Sequence, residues 1–187
     1  MKLPLHTTLD VFEKPETMAV ALADRLTARV GEIAARQAAV CLALPREPAL
    51  RPALEQLADP KRRQAAPWEQ VKVFFTNEGS VGPDDPASSF ALAWSTWLKD
   101  GPVARRRIWR MEGEAPDLKQ AAFRYEQWLG EQVAPGPTGF PRLDLILLDL
   151  GEDGRVAGLW PKTDALEETL RAVAAKCPAG AIIVIDK

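Results

Sequence analysis

Three stretches of this chain, AVCLAL (39–44), LDLILLDL (143–150) and AIIVID (181–186), are apolar at almost every position rather than at every second one. Successive side chains of a strand point to opposite faces of a sheet, so a run of this kind must be covered on both sides. That requirement excludes a sheet with one wet face and favours parallel strands sandwiched between helices. The segments between the strands supply the helices. From Pro15 to Gln37, Met18, Leu22, Leu26, Val30 and Ile33 recur at spacings of three and four, the stripe of an amphipathic helix. QVKVFF (70–75) reads as a further strand, and SFALAWSTWLKD (89–100) as a helix stopped by Gly101-Pro102. Residues 117–133 read as a helix with Leu118, Ala122, Tyr125 and Leu129 on one face, and residues 163–177 as another that opens with Thr163. Strands alternating with helices in this way predict an α/β fold with a mostly parallel sheet of five or six strands, formed by residues 1–187 as a single domain.

Lesser elements complete the expectation. TTLDVF (7–12) and RIWRM (107–111) read as short strands, residues 48–58 as a helix, KRRQAAP (61–67) as an exposed basic loop, and PGPTGFP (135–141) as a loop.

Composition removes several classes of function. Lysine plus arginine number 24 against 26 acids, a formal charge of 24 − 26 = −2, which argues against nucleic acid as a partner. The longest apolar runs fall far short of the roughly 20 residues of a membrane helix, so no membrane partner is expected. The first ten residues lack the apolar core of a secretory signal, and the expected localisation is cytoplasmic. The single histidine, His6, precedes the first predicted strand, and the two cysteines, Cys41 and Cys177, are too few for a thiolate metal site. No metal and no cofactor are expected.

In a parallel sheet, ligands gather at the carboxyl ends of the strands, so the loops that follow them carry the candidate chemistry. After 143–150 comes Gly151-Glu152-Asp153-Gly154-Arg155, whose glycines would let backbone N–H groups approach an anion, although a plain strand-to-helix turn uses the same residues. After 70–75 comes Thr76-Asn77-Glu78-Gly79, where Asn77 and Glu78 would form a base or a hydroxyl-binding pair; turn and cap roles are the alternative. After 39–44 comes Pro45-Arg46-Glu47-Pro48, without glycine. The Arg105-Arg106-Arg107 and Lys61-Arg62-Arg63 runs read as solvated faces, Trp94 and Trp97 as core, and Cys41 as an inert thiol in a buried strand.

These residues carry a resemblance. PWEQVKVFFTNEGSVGPDDPASSF (67–90) resembles the 6-phosphogluconolactonase segment PW…V.FF.GDER.VP..D..SNY, and RIWRMEGEAPDLKQAAFRYEQWL (107–129) resembles the family's hRi.GE.p…aa..Ye..l segment. LDLILLDLGEDGRVAGLWP (143–161) is similar to the signature in which a strand leads into GMGEDGHTASLFP, an element shared with glucosamine-6-phosphate isomerases. The resemblance runs in order over about residues 7–170. It implies the three-layer α/β sandwich of that group, with the C-terminal part shortened, and a family role in hydrolysing 6-phosphogluconolactone in the pentose phosphate pathway.

The departures fall on the chemistry. The signature histidine, which the resemblance makes the base that activates water, is here Arg155; the acid and arginine of GDER are Asn77 and Gly79, leaving Glu78; and the glycine-rich phosphate loop SGGSTP is replaced by residues 43–48, which include Arg46. The expected substrate-binding residues are Asn77, Glu78, Gly151, Asp153, Gly154, Arg155 and Arg46, with Arg46 and Arg155 sharing one anion pocket. The expected function is that of a catalytically impaired family member that binds a phosphorylated sugar or another small anion. The alternatives are an active lactonase using Glu78, or a non-catalytic subunit that forms a homodimer or pairs with an active pentose-phosphate enzyme.

Overall fold

The computed structural model describes residues 10–46, 48–148 and 182–183, the last two as backbone only. Helix α1 (Pro15–Ala34) leads into β1 (Val40–Leu44); a 3₁₀ turn and helices α2 (Arg51–Leu57) and α3 (Pro60–Ala65) precede β2 (Val71–Phe75). Helix α4 (Ser89–Ala93) runs on as a π-helical turn, Trp94–Leu98, and α5 (Leu118–Gln132) returns the chain to β3 (Leu145–Leu148). Strand β4 (Ile182–Ile183) pairs with β3. The described sheet has the order β2-β1-β3-β4 and every pairing is parallel.

The two-residue alternation sorts the strands between two cores. Val40, Leu42 and Leu44 of β1, Val71, Val73 and Phe75 of β2, and Leu145 and Leu147 of β3 pack with α1, α2 and α4 on one face. Cys41, Ala43 and Phe74 face the other way, against Val133, Leu129 and Ile146. Helices therefore cover both faces, the three-layer α/β arrangement that the apolar runs require. In α1 the predicted stripe is the buried one, with Leu22, Leu26 and Val30 fully enclosed and Pro15 in the first turn, where its missing N–H costs no helix bond.

Several expectations need correction. The described residues contribute four strands to the sheet, where five or six are expected of the whole chain. RIWRM is not a strand: Arg105–Arg107 form a 3₁₀ turn, and only Ile108 bridges to Val73, with the Trp109 N–H donating to the Val73 carbonyl. Of TTLDVF, residues 10–12 form no strand: none of them pairs with a described strand, and Asp10 instead forms an ion pair with Arg25 of α1; residues 7–9 lie outside the described residues. KRRQAAP is not a loop: Asp59 accepts from the Lys61 N–H as an N-cap, Pro60 starts α3, and Arg62 is held by Asp24 at 2.8 Å. Of the predicted α5 face, Tyr125 is buried and Leu129 packs against the Cys41–Phe74 core, while Leu118 and Ala122 point to solvent and Ala121 is buried instead. The predicted helix over 163–177 and Cys177 lie outside the described residues.

Tyr125 explains the rotation of α5. Its hydroxyl donates to the Phe75 carbonyl at 2.9 Å and accepts from the Phe75 N–H at 2.8 Å, closing the outer edge of β2 where no full strand pairs. Burial pushes this hydroxyl well above its ordinary pKa, so it remains a donor. Tyr125→Phe should cost about 1–3 kcal/mol, because it strands both backbone groups of Phe75 in the interior. Urea denaturation of the two proteins measures it; a change within error would show that the edge is closed by other means.

Candidate functional site at the carboxyl ends of the strands

The loops that follow β1 and β2 are stitched together. The Thr76 N–H donates to the Leu44 carbonyl at 2.9 Å, and the Arg46 N–H donates to Asn77 Oδ1, also at 2.9 Å. Asn77 thus braces the loop in which Arg46 stands, and its own carbonyl accepts from the Ser89 hydroxyl at 2.7 Å. The exposed Arg46 side chain folds back over Gly79, and its Nη1 donates to the Ala87 carbonyl at 3.3 Å. A Cβ on Gly79 would lie 3.1 Å from that Nη1 and 3.0 Å from the Ala87 carbonyl, so a side chain at this position would push Arg46 off its perch.

Glu78 is fully engaged. Its Oε1 accepts from the N–H groups of Gly79 (2.8 Å) and Ser89 (2.6 Å), and its Oε2 from the Ser88 hydroxyl (3.0 Å) and the Phe90 N–H (3.1 Å). The carboxylate satisfies free N–H groups at the start of α4, while the Ser88 hydroxyl accepts from the Ala91 N–H. Sequence reasoning placed Glu78 at the right end of the sheet without foreseeing this anchoring role, which is signalled only by the Ser-Ser pair ten residues on.

Sequence reasoning quoted Gly113 only within the hRi.GE.p resemblance and gave it no role. A Cβ there would lie 2.0 Å from the Gly79 carbonyl, so the 112–114 segment packs on the Gly79 loop by backbone contact that glycine alone permits. Two ion pairs fasten that segment: Arg110 grips both oxygens of Glu114, and Arg124 of α5 holds Glu112. The hydrogen bonds from Arg110 push the Glu114 carboxyl down to about 2, and Glu114 in turn raises Arg110 above its ordinary value. A carboxyl depressed in the folded state contributes stability above its unfolded pKa of about 4.3 and loses it as pH falls toward 2. Glu114→Gln should therefore flatten the acid limb of the stability curve in that window, by less than about 1 kcal/mol because the pair is largely open to solvent. Thermal melts between these pH values check it, and parallel curves for the two proteins would refute it.

Of the expected site residues, the structure brings together Arg46, Asn77 and Glu78. Gly151, Asp153, Gly154 and Arg155 lie outside the described residues, and with them the shared anion pocket of Arg46 and Arg155. Cys41 is buried in β1, its thiol pushed up to about 11 by burial and by the nearby Asp144 carboxylate. Trp97 is buried in the core, edge-on to Trp68, while Trp94 is half-buried and stacks on Phe90. Among the described residues no group of three His, Cys, Asp or Glu side chains is arranged to hold a metal ion, and no helix is long and apolar enough to cross a membrane.

The chain resembles known proteins in sequence and in fold. The chain is 36% identical over 141 residues to a 6-phosphogluconolactonase of Synechocystis sp., covering 75% of this chain and 57% of that protein. It is 33% identical over 170 residues to a probable chloroplastic 6-phosphogluconolactonase of Oryza sativa, covering 87% of this chain and 51% of that protein. It thus spans little more than half the length of these relatives. Among solved structures, the devB protein superposes with a TM-score of 0.75 at 24% identity, covering 86% of this chain and 65% of that one. The 6-phosphogluconolactonase of Trypanosoma brucei superposes with a TM-score of 0.70 at 21% identity, covering 87% and 66%. These two likenesses establish the fold. The model of the family described as glucosamine-6-phosphate isomerases/6-phosphogluconolactonase matches residues 13–180, nearly the whole chain, and the chain belongs to that family.

Proposed function

We propose that this chain is a 6-phosphogluconolactonase-like protein, acting as one α/β domain in the cytoplasm, that binds a phosphorylated sugar at the carboxyl ends of its strands but hydrolyses lactones poorly or not at all. The observation that carries this reading is the state of Glu78. It is the one carboxylate of the GDER-like element, and both its oxygens already accept from four donors. A water molecule to be activated there would have to displace one of the bonds that hold α4. The residue at the family histidine position offers no substitute. Histidine, with a pKa of about 6.5, can accept a proton near neutrality, whereas arginine stays protonated below roughly pH 12 and Arg155 would bind an anion without serving as base. A general base is typically worth about 10²–10⁴-fold in rate, enough for this exchange to account for most of a lost activity. Arg46, with no carboxylate partner among the described residues, supports anion binding at the same end.

The second reading, an active lactonase, is favoured by the identity to relatives that bear that name. Hydrolysis of 6-phosphogluconolactone, followed above its spontaneous rate, separates the two. Wild type and Glu78→Gln are both expected to stay near the background rate, while 6-phosphogluconate raises the melting temperature of wild type. Robust wild-type turnover that vanishes in Glu78→Gln would overturn the proposal. The absence of any thermal shift would instead favour a subunit that only pairs with another copy or with an active enzyme.

A further inference from the structure

The opposite end of the sheet carries a cleft apart from Arg46, Asn77 and Glu78. It has a volume of about 400 Å³ and opens where β1, β2 and β3 begin, its walls including Gln37, Cys41, Lys72, Gln132, Arg142 and Asp144. This lies within the 300–1,000 Å³ range typical of small-molecule sites. It also lies a full strand length from Arg46 and Glu78, since Cys41 and Lys72 are the second residues of their strands and the 46–79 loops follow the last.

We propose that this cleft is a second binding site, for a small polyhydroxylated monocarboxylate. The charge set points to a monoanion: two cations, Lys72 and Arg142, against one carboxylate, Asp144, leave 2 − 1 = +1. Lys72 is fixed in place, its Nζ donating to the Gln132 carbonyl at the end of α5 at 2.7 Å and lying 5.8 Å from the Trp109 ring centroid. An ammonium has three N–H donors, so it retains capacity for a ligand oxygen. Arg142 is exposed and has no carboxylate partner among the described residues, so its planar fork is available to a carboxylate. Asp144 accepts from the Cys41 N–H through Oδ2 at 2.8 Å, which leaves Oδ1 to accept from a hydroxyl. The side-chain amides of Gln37 and Gln132 add donors and acceptors on the same walls. The Cys41 thiol, protonated at neutral pH, adds no competing negative charge. An anion without hydroxyl groups would leave the Asp144 side of the cleft without a donor.

The test is titration of the isotopically labelled full chain with D-gluconate, followed by amide NMR, with inorganic phosphate as the comparison. Gluconate is expected to shift the amide signals of Cys41, Lys72 and Asp144. Arg142→Ala, a surface substitution that leaves the core intact, should weaken this binding about tenfold, the equivalent of one charge-assisted hydrogen bond. Shifts confined to residues 44–46 and 76–79, an unchanged affinity in Arg142→Ala, equal binding of phosphate, or no shift at all would each overturn the proposal.

Discussion

Replacing Trp68 with alanine is expected to remove about 3–5 kcal/mol of folding stability, a large fraction of the roughly 5–15 kcal/mol that holds a typical domain together. Trp68 is fully buried in the short turn that leads into β2. Its ring meets Trp97 edge-to-face with centroids 5.1 Å apart, and its Nε1 donates to the Arg62 carbonyl at 2.8 Å. One side chain therefore joins the end of α3, the entrance to β2 and the π-helical turn after α4. Alanine would leave a cavity that these elements cannot close without moving β2, and would leave the Arg62 carbonyl without its partner. Trp68→Phe retains most of the packing and loses only the hydrogen bond, so it should cost less than half as much. Urea denaturation followed by far-UV circular dichroism separates the variants without relying on the remaining tryptophans. A loss below about 1 kcal/mol for Trp68→Ala would show that this part of the core is loosely packed.

The central strands were legible because burial on both faces leaves an unbroken apolar run, and the heart of α1 because its stripe is long and regular. What misled was local. KRRQAAP reads as basic and exposed, yet its Asp59-Pro60 start is a helix signal, and long side chains such as Arg62 keep their charge near solvent while bracing a neighbouring helix. RIWRM has the composition of a strand, but the 3₁₀ turn before it and the Tyr125 hydroxyl beside it limit its pairing to one bridge. For α5, helical spacing alone gave Leu118 and Ala122 a buried place. The buried face includes Ala121 and carries the Tyr125 hydroxyl to both backbone groups of Phe75, a contact no periodicity records.

The candidate site was legible in location and less so in role. Loops after parallel strands are the right place to search, and Arg46, Asn77 and Glu78 do meet there. Their duties depend on contacts across long sequence separations: Asn77 to Arg46 over 31 residues, and Glu78 to Phe90 over 12. A single sequence read without homologues cannot distinguish a carboxylate that will face substrate from one that will face the first turn of a helix. Gly113 is similar, since only the close approach of the Gly79 carbonyl reveals why no side chain fits.

Removing the Glu78 carboxylate is expected to destabilise the protein by about 2–4 kcal/mol, and this substitution decides more about function than any other in the described residues. Hydrogen bonds to a charged group contribute roughly 1.5–3 kcal/mol each, and Glu78 accepts four; its half-buried setting lets water replace part of that sum. In Glu78→Ala the N–H groups of Ser89 and Phe90 lose their acceptor, and the start of α4 should fray. Hydrogen exchange at those two amides should accelerate more than exchange in β1, where the pairing with β2 is untouched. Glu78→Gln retains the shape, but its amide N–H₂ group would face donors, so it should recover only part of the loss. A residue whose duty is to anchor α4 changes stability and local exchange and leaves the lactone hydrolysis rate where it was. A general base adds a second effect: Glu78→Gln would lose turnover far beyond what its loss of stability accounts for. That second pattern would make this chain an active lactonase with a relocated base, and the engagement of its carboxylate by α4 would then have to open in each catalytic cycle.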